Sequence, residues 1–221
     1  MKRCLEALGD ENPLAEPMST LKIARRPDET DSRRGSSAAG DLPFGVSLRD
    51  LHPHPDDRGI FTELHRDEWQ TGPRPVQWNA VRSNANVFRG VHVHRVHADE
   101  LVVLDGVMLL GLHDMRRDSP TSGLSVVVEL RGDAPRAASI PPGVAHGFFF
   151  PVPSLHVYAV SEYFNPDDDL ACRYDSPELR LRWPTAKPHL SNRDAEAGTY
   201  EEMMARLTST DIPRNAAPTG R

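Results

Sequence analysis

The stretch Arg89-Gly90-Val91-His92-Val93-His94, which Asp99-Glu100 and Gly106 follow, carries most of what the sequence says about the fold. Side chains two residues apart on a β-strand point to the same side, so His92 and His94 are predicted to project together into an interior. A later segment, Pro141-x-Gly143-x-x-His146, places a further imidazole just after a tight turn, where an apolar strand begins. The two segments together predict two strands that supply inward-facing histidines.

Short apolar runs, separated by glycine and proline, continue on both sides of these segments. They are rich in Val, Leu and Phe, and turn signals such as Asp105-Gly106, Gly132-Asp133 and Pro141-Pro142-Gly143 lie between them. Many short strands at close spacing predict an all-β sandwich or barrel rather than alternating strands and helices. The predicted strands are Val76–Val81, Val87–His94, Leu101–Leu104, Val107–Leu112, Leu124–Leu130, His146–Phe150 and Leu155–Ser161.

A single short helix is predicted near the C-terminus. Thr199 and Glu202 have the spacing of a capping box, in which each side chain binds the backbone of the other residue. The apolar residues after the cap lie at helical spacing and are predicted to face a core. They are Tyr200, Met203, Met204 and Leu207.

The domain is predicted to span residues 44–207, between two unstructured ends. Residues 1–43 contain no Phe, Tyr or Trp, and the run from Asp28 to Gly40 is almost wholly polar or small. Such a segment buries too little apolar area to offset its ordering entropy, so we expect a disordered leader. Residues 208–221 are expected to form a flexible tail for the same reason.

The composition excludes several classes of protein. The 221 residues carry 26 Lys+Arg against 32 Asp+Glu, a formal net charge of −6. A general binder of nucleic acid or of anionic membranes normally has a basic excess, so we expect neither partner. No signal peptide and no run of about 18 apolar residues is present. The two cysteines, Cys4 and Cys172, are too few for a disulfide scaffold, and a cytoplasmic protein is predicted.

Both histidine segments resemble the motifs of the cupin superfamily. Its first motif is H-x-H, an acid and a glycine, and its second is P-x-G-x-x-H. The resemblance implies an all-β double-stranded β-helix, or jelly roll, here with a short C-terminal helix. One histidine on an apolar strand is usually a buried, hydrogen-bonded residue, but His92, His94 and His146 together favour a site.

Residues 56–198 are similar, more narrowly, to the dTDP-4-dehydrorhamnose 3,5-epimerase family, which shares the jelly roll. The resemblance implies an isomerase of deoxysugar (rhamnose) biosynthesis that epimerises a dTDP-linked 4-keto sugar without a cofactor. It also implies a homodimer, because this family pairs its barrels by exchanging strands near the N-terminus. The matching fragments are Asp57-Arg58-Gly59-x-Phe61-x-Glu63, Gln77-x-Asn79-x-x-x-Ser83, Arg89-Gly90-Val91-His92, Ser119-Pro120-Thr121-x-Gly123, Pro142-Gly143-x-Ala145-His146-Gly147-Phe148, Tyr158-x-x-Ser161, Asn165-Pro166, Asp175-x-Pro177-x-Leu179, Trp183-Pro184 and Leu190-Ser191-x-x-Asp194.

The chemistry of epimerisation explains the residue types in these fragments. Removing a proton beside a ketone and returning one to the other face needs a base, an acid and a stabiliser of the enolate oxygen. By match to the family's motifs, His92 is the base, Asp194 its partner, and Tyr158 the acid on the opposite face. The matched substrate-binding residues are Arg58 and Arg89 for the diphosphate, Phe61, Glu63, Gln77 and Asn79 for the thymidine end, and His146 lining the same cavity.

The sequence also departs from the family's pattern. Val93-His94 stands where the family usually has Tyr-Gln, Asp99 stands where it has a lysine that suits an enolate, and Phe164 stands where a second tyrosine often occurs. One interpretation is that protonated His94 or His97 replaces the lysine. Others are that the enzyme acts on a different 4-keto sugar nucleotide or at one carbon only.

Two further alternatives change the class of function. His92, His94 and His146 with Asp99 or Glu100 form a plausible ligand set for a divalent metal, which would exclude His92 as a free base. A sugar-nucleotide-binding cupin that has lost turnover is the other alternative. A geometric condition applies to the epimerase: Arg89 and His92 differ in parity, so both reach one interior only if Gly90 lies in a bulge.

Overall fold

The structure is a computed structural model that describes residues 42–69 and 72–209. These residues form twelve strands and four short helical segments. The strands are β1 (Ser47–Asp50), β2 (His54–Asp56), β3 (Gly59–Phe61), β4 (Gln77–Ser83), β5 (Val87–His94), β6 (Asp99–Asp105), β7 (Val107–Asp114), β8 (Ser125–Arg131), β9 (Arg136–Ile140), β10 (Val144–Phe150), β11 (Ser154–Val160) and β12 (Asp169–Ala171). The 3-10 turns are Asp67–Trp69 and Pro177–Leu179, and the α-helices are α1 (Asn192–Ala195) and α2 (Tyr200–Thr208).

Two five-stranded antiparallel sheets make up the fold. The first has the order β1-β9-β6-β11-β4, the second the order β12-β5-β10-β7-β8, and β2 and β3 form a separate hairpin. Every predicted strand is present, and the two sheets confirm the all-β jelly roll. The predicted leader 1–43 and tail 208–221 lie outside the described residues, apart from residues 42–43 and 208–209. Within the described part, no helix is long and apolar enough to cross a membrane.

Apolar side chains fill the space between the sheets and also cover the outer face of the second sheet. The inner cluster includes Leu101, Leu110 and Phe150, all of which are buried. The outer cluster joins Phe88, Val91 and Val93 of β5 to the C-terminal segment, including Met203 of α2. One face of β5 is therefore committed to apolar packing, which leaves its other face for polar residues.

A bulge in β5 brings Arg89 and His92 to the same side, as the sequence requires. Strand β10 pairs His146 with His92 and Gly147 with Gly90, so the register shifts by one residue at this point. Gly90 has a φ of +111°, and a Cβ there would lie 2.9 Å from the carbonyl oxygen of His146. Only glycine suits such a position, and the extra residue restores the alternation that points Arg89, His92 and His94 inward.

The C-terminal helix forms as the sequence predicts. The Thr199 hydroxyl accepts a hydrogen bond from the backbone of Glu202, whose carboxylate in turn accepts one from the Thr199 backbone. Met203 is fully buried against the second sheet, and the other three predicted face residues pack around it. The helix closes the outer cluster and thereby fixes the outer face of β5.

Replacing Asp114 by asparagine should destabilise the protein by about 3 kcal/mol at pH 7. The Asp114 side chain is fully buried and accepts hydrogen bonds from Arg116 Nε and Nη2, Ser119 Oγ and Thr121 Oγ1. Burial alone would raise the pKa of this carboxyl, but these hydrogen bonds hold it well below its usual range. Urea denaturation checks the loss, with the exposed neighbour Asp118→Asn as the control.

The same variant has a defined pH dependence. A depressed pKa in the folded state means that Asp114 stabilises the protein above its unfolded pKa of about 3.9 and stops doing so as pH falls through the folded value. The difference in free energy of unfolding between wild type and variant should therefore be full at pH 7 and shrink below pH of about 4. A difference that does not change with pH would contradict the charge-based explanation.

Candidate active site

One end of the interior between the sheets is polar instead of apolar. Inward-pointing side chains of both sheets meet here. Those of the second sheet come from β5 and β10, and those of the first sheet come from β4, β6 and β11. In the register of the first sheet, Tyr158 lies opposite Asn79 on one side and Leu101 on the other, and Val160 lies opposite Gln77 and Asp99. The residues that line this end are Gln77, Asn79, Arg89, His92, His94, Asp99, His146 and Tyr158.

His92 and Asp194 form a hydrogen-bonded dyad. His92 Nε2 lies 2.9 Å from Asp194 Oδ1, which is buried. Asp194 is held in the first turn of α1: its backbone N–H donates to Ser191 Oγ, and Ser191 Oγ donates to Asp194 Oδ2 at 2.9 Å. Burial would raise the pKa of Asp194, but the hydrogen bonds from His92 and Ser191 lower it. An ionised Asp194 accepts a hydrogen bond from the N–H at His92 Nε2, which leaves Nδ1 as the ring nitrogen with a lone pair.

A second carboxylate, Asp169, faces the other nitrogen of His92. Asp169 Oδ1 lies 3.8 Å from His92 Nδ1 and 3.9 Å from His94 Nδ1, while Oδ2 accepts from Arg193 Nη1 at 2.6 Å. Strand β12 places it there by pairing Asp169 with His94. Sequence analysis missed Asp169 and Arg193. The run Asp167-Asp168-Asp169 was the available signal, but nothing in a three-residue strand indicates its pairing.

Three histidines, His94, His97 and His146, surround Asp99. His94 Nε2 lies 3.6 Å and His146 Nε2 3.7 Å from Asp99 Oδ2, and His97 Nε2 lies 3.9 Å from Oδ1. Burial lowers the pKa of His94 well below its usual range and that of His146 to about 4, and burial raises the pKa of Asp99 to about 7. Burial alone would lower the pKa of His97, but the hydrogen bond with Asp168 and the charge of Asp99 raise it above its usual value.

The metal set drawn from the sequence, His92, His94 and His146 with Asp99 or Glu100, does not assemble. His92 Nδ1, the nitrogen not bonded to Asp194, faces Asp169 at 3.8 Å and belongs to no group of three or more ligand atoms within 4.8 Å of one another among the described residues. Glu100 lies on the opposite face of β6 from Asp99, where its Oε2 is 3.0 Å from His65 Nδ1. Neighbouring residues on a strand point to opposite sides, which excludes one of the two acids. Among the described residues, the ligand atoms that do lie within 4.8 Å of one another belong to His94, His97 and Asp99.

The predicted binding residues of the interior lie on both sheets, with Gln77 and Asn79 on β4 and Arg89 on β5. Gln77 Nε2 donates to Asn79 Oδ1 at 3.0 Å, and Arg89 Nε donates to Ser83 Oγ at 3.1 Å, which links the two sheets. Tyr158 is partly buried. Its pKa is raised, first by burial and then by the charges of Asp99 and Asp169.

Three predicted substrate-binding residues lie outside this interior. Arg58 pairs with Asp56 at 2.6 Å on the β2–β3 hairpin, with 84% of its side chain exposed. Phe61 stacks near His54 on the same hairpin, and Glu63 pairs with Arg66 at 2.9 Å. The structure therefore does not bring Arg58, Phe61 and Glu63 together with the dyad. Phe164, the residue at the position of the second tyrosine, is also exposed and donates its backbone N–H to Gln77 Oε1.

The fold and the site define a cupin-type jelly roll with a histidine–aspartate dyad in its interior. The sequence profile of dTDP-4-dehydrorhamnose 3,5-epimerase matches residues 44–202. The chain therefore belongs to the dTDP-4-dehydrorhamnose 3,5-epimerase family, a family of carbohydrate epimerases within the isomerases.

Individual relatives agree with this membership. The chain is 32% identical over 145 residues to the spore coat polysaccharide biosynthesis protein SpsL of Bacillus subtilis, covering 64% of this chain and 96% of that protein. It is 31% identical over 167 residues to dTDP-4-dehydrorhamnose 3,5-epimerase of Mycobacterium tuberculosis, covering 69% and 81%. The crystal structure of dTDP-6-deoxy-D-glucose-3,5-epimerase from Legionella pneumophila, in complex with dTDP-4-keto-L-rhamnose, superposes with a TM-score of 0.69 at 30% identity, covering 78% and 95%.

Proposed function

We propose that this chain epimerises a dTDP-linked 4-keto-6-deoxy sugar by removing and returning a proton on a carbon next to the keto group. The observation that carries the proposal is the 2.9 Å hydrogen bond between His92 Nε2 and buried Asp194 Oδ1. A neutral imidazole held in this tautomer has a lone pair on Nδ1, and the carboxylate stabilises the cation that forms when Nδ1 takes a proton. Family membership supports the substrate class.

The proposed step uses side chains only. His92 Nδ1 takes the proton of the C–H bond, whose electron pair forms the C=C bond of an enolate while the π pair of the C=O bond moves to the keto oxygen. Tyr158 extends from the facing sheet, and its O–H donates a proton to the opposite face of the carbon as the carbonyl forms again. The tyrosinate then takes a proton from solvent, and the His92 imidazolium releases its proton to solvent. Burial keeps the Tyr158 hydroxyl protonated, because its pKa is raised. Arg89 suits the diphosphate, since a guanidinium binds phosphate oxygens in pairs.

The experiment that tests the proposal is deuterium exchange into dTDP-4-keto-6-deoxy-glucose in D₂O, followed by NMR at C3 and C5. Tyr158→Phe should keep exchange, because His92 can return deuterium to the same face, while the formation of epimerised product falls by about 10²-fold or more. The exposed Tyr163→Phe is the control and should resemble wild type. Binding of the sugar nucleotide without exchange by wild type would overturn the proposal in favour of the non-catalytic binding cupin.

The proposal includes a homodimer, and the cytoplasmic location stays a prediction. Ile60 and Phe61 on the β2–β3 hairpin are 73% and 64% exposed, so each face of the hairpin presents a large apolar side chain, as is typical of an interaction surface. In a homodimer the hairpin of one copy can serve the site of the other, which would account for the position of Arg58, Phe61 and Glu63. A monomer in light scattering at assay concentration contradicts this part.

A further inference from the structure

His94, His97 and Asp99 form a compact set of metal-ligating side chains beside the dyad. Their ligand atoms all lie within 4.8 Å of one another, and all three residues are buried. His94 Nε2 is 3.6 Å from Asp99 Oδ2 and His97 Nε2 is 3.9 Å from Asp99 Oδ1. Ligands at about 2.0–2.2 Å from one ion lie about 3–3.5 Å apart. The rings of His94 and His97 are stacked with their centroids 3.8 Å apart, so they must splay by roughly 1 Å for both Nε2 atoms to point at a common ion.

Each of the two histidines has a carboxylate at its other nitrogen. His97 Nδ1 lies 2.9 Å from Asp168 Oδ2, and His94 Nδ1 lies 3.9 Å from Asp169 Oδ1. A metal-ligating histidine usually donates its second N–H to such a partner, which fixes the ring and the tautomer. Two successive residues, Asp168 and Asp169, therefore occupy the positions that would orient the two imidazoles.

The cluster is incomplete as it stands. His94 Nδ1 and Asp169 Oδ1 have no hydrogen-bond partner, although the two side chains are only 9% and 8% exposed. Within the described part of the chain, the ion pairs of Asp99 are all with histidines, and no lysine or arginine balances its charge. A buried carboxylate normally has a charged partner, so Asp99 suits a cation. An ion on His94 Nε2 would also place the ring proton on Nδ1, which could then donate to Asp169 Oδ1 across the present 3.9 Å.

We infer that His94, His97 and Asp99 bind one divalent first-row transition-metal ion through two imidazole nitrogens and a carboxylate oxygen. Imidazole and carboxylate donors suit Zn²⁺, Co²⁺, Ni²⁺ and Fe²⁺. His92 is not part of this set, so its Nδ1 stays available as a base with the ion in place. The inference rests on the cluster and not on the proposed function.

Titration of chelator-treated full-length protein with Zn²⁺ and with Co²⁺, by calorimetry and visible absorption, tests the inference. Wild type should bind about one equivalent of each ion, and His97→Gln should bind neither, with circular dichroism confirming that it is folded. The exposed His52→Gln should bind as wild type does. Asp168→Asn should weaken the affinity by about 10- to 100-fold, since it removes the partner that orients His97.

Two outcomes would overturn the inference. One is the absence of stoichiometric binding of both ions to folded wild type. The other is binding to His97→Gln with wild-type stoichiometry and affinity, which would assign the ion to other residues. Neither outcome depends on deuterium exchange, so a failure of this inference and a failure of the epimerase proposal are distinguishable.

Discussion

His92→Ala should lower the rate of deuterium exchange beside the keto group by about 10⁴-fold, the upper end of what a positioned base contributes. Alanine removes Nδ1, the atom of the dyad whose lone pair faces the interior. Asp194 Oδ1 lies 2.9 Å beyond Nε2, on the far side of the missing ring, and does not reach the same proton. The measurement is the appearance of deuterium at C3 and C5 by NMR under single-turnover conditions.

The control for this variant is His113→Ala. His113 is buried in the same sheet, but its nitrogens bond to Ser125 Oγ and Tyr200 Oη on the outer face. Its loss should lower the free energy of unfolding while leaving the exchange rate per folded molecule unchanged. Exchange by His92→Ala at more than about one tenth of the wild-type rate would be too fast for loss of a general base and would reassign that role.

Much of the fold was predictable because apolar runs report directly on buried strands. Strand β5 has the same bounds in the structure as in the prediction, Val87–His94. By contrast, β9 (Arg136–Ile140) has small side chains at its three central positions and β12 (Asp169–Ala171) has three residues, so neither has an apolar pattern long enough to recognise. Both pair with longer strands, and tertiary pairing rather than local propensity makes them strands.

The residues of the site, too, were only in part predictable from the sequence. The parity of β5 and the bulge at Gly90 were enough to place His92 and His94 in the interior. The choice between Asp99 and Glu100 could have been made from strand alternation alone. His97 follows the end of β5, and Asp169 belongs to β12, so their approach to His94 depends on chain turns and pairing that periodicity does not encode. For that reason the metal set of the sequence differs from the cluster in the structure.

Asp194→Asn should lower kcat by about 10²- to 10⁴-fold with KM nearly unchanged, because Asp194 positions His92 and does not itself touch the substrate. Asparagine can present its amide N–H₂ to His92 Nε2, which moves the imidazole proton to Nδ1 and removes the lone pair there. It also removes the negative charge that stabilises the imidazolium.

The tautomer of His92 distinguishes a role of Asp194 in proton transfer from a merely structural role. In ¹⁵N NMR of the folded variant, the His92 proton should shift from Nε2 toward Nδ1, while Asp194→Glu should retain the Nε2–H tautomer and recover part of kcat. Asp167→Asn, an exposed carboxylate in the loop before β12, is the control for charge alone and should leave both observables unchanged. An Asp194→Asn protein with wild-type kcat would show that the 2.9 Å dyad holds the fold and contributes nothing to proton transfer.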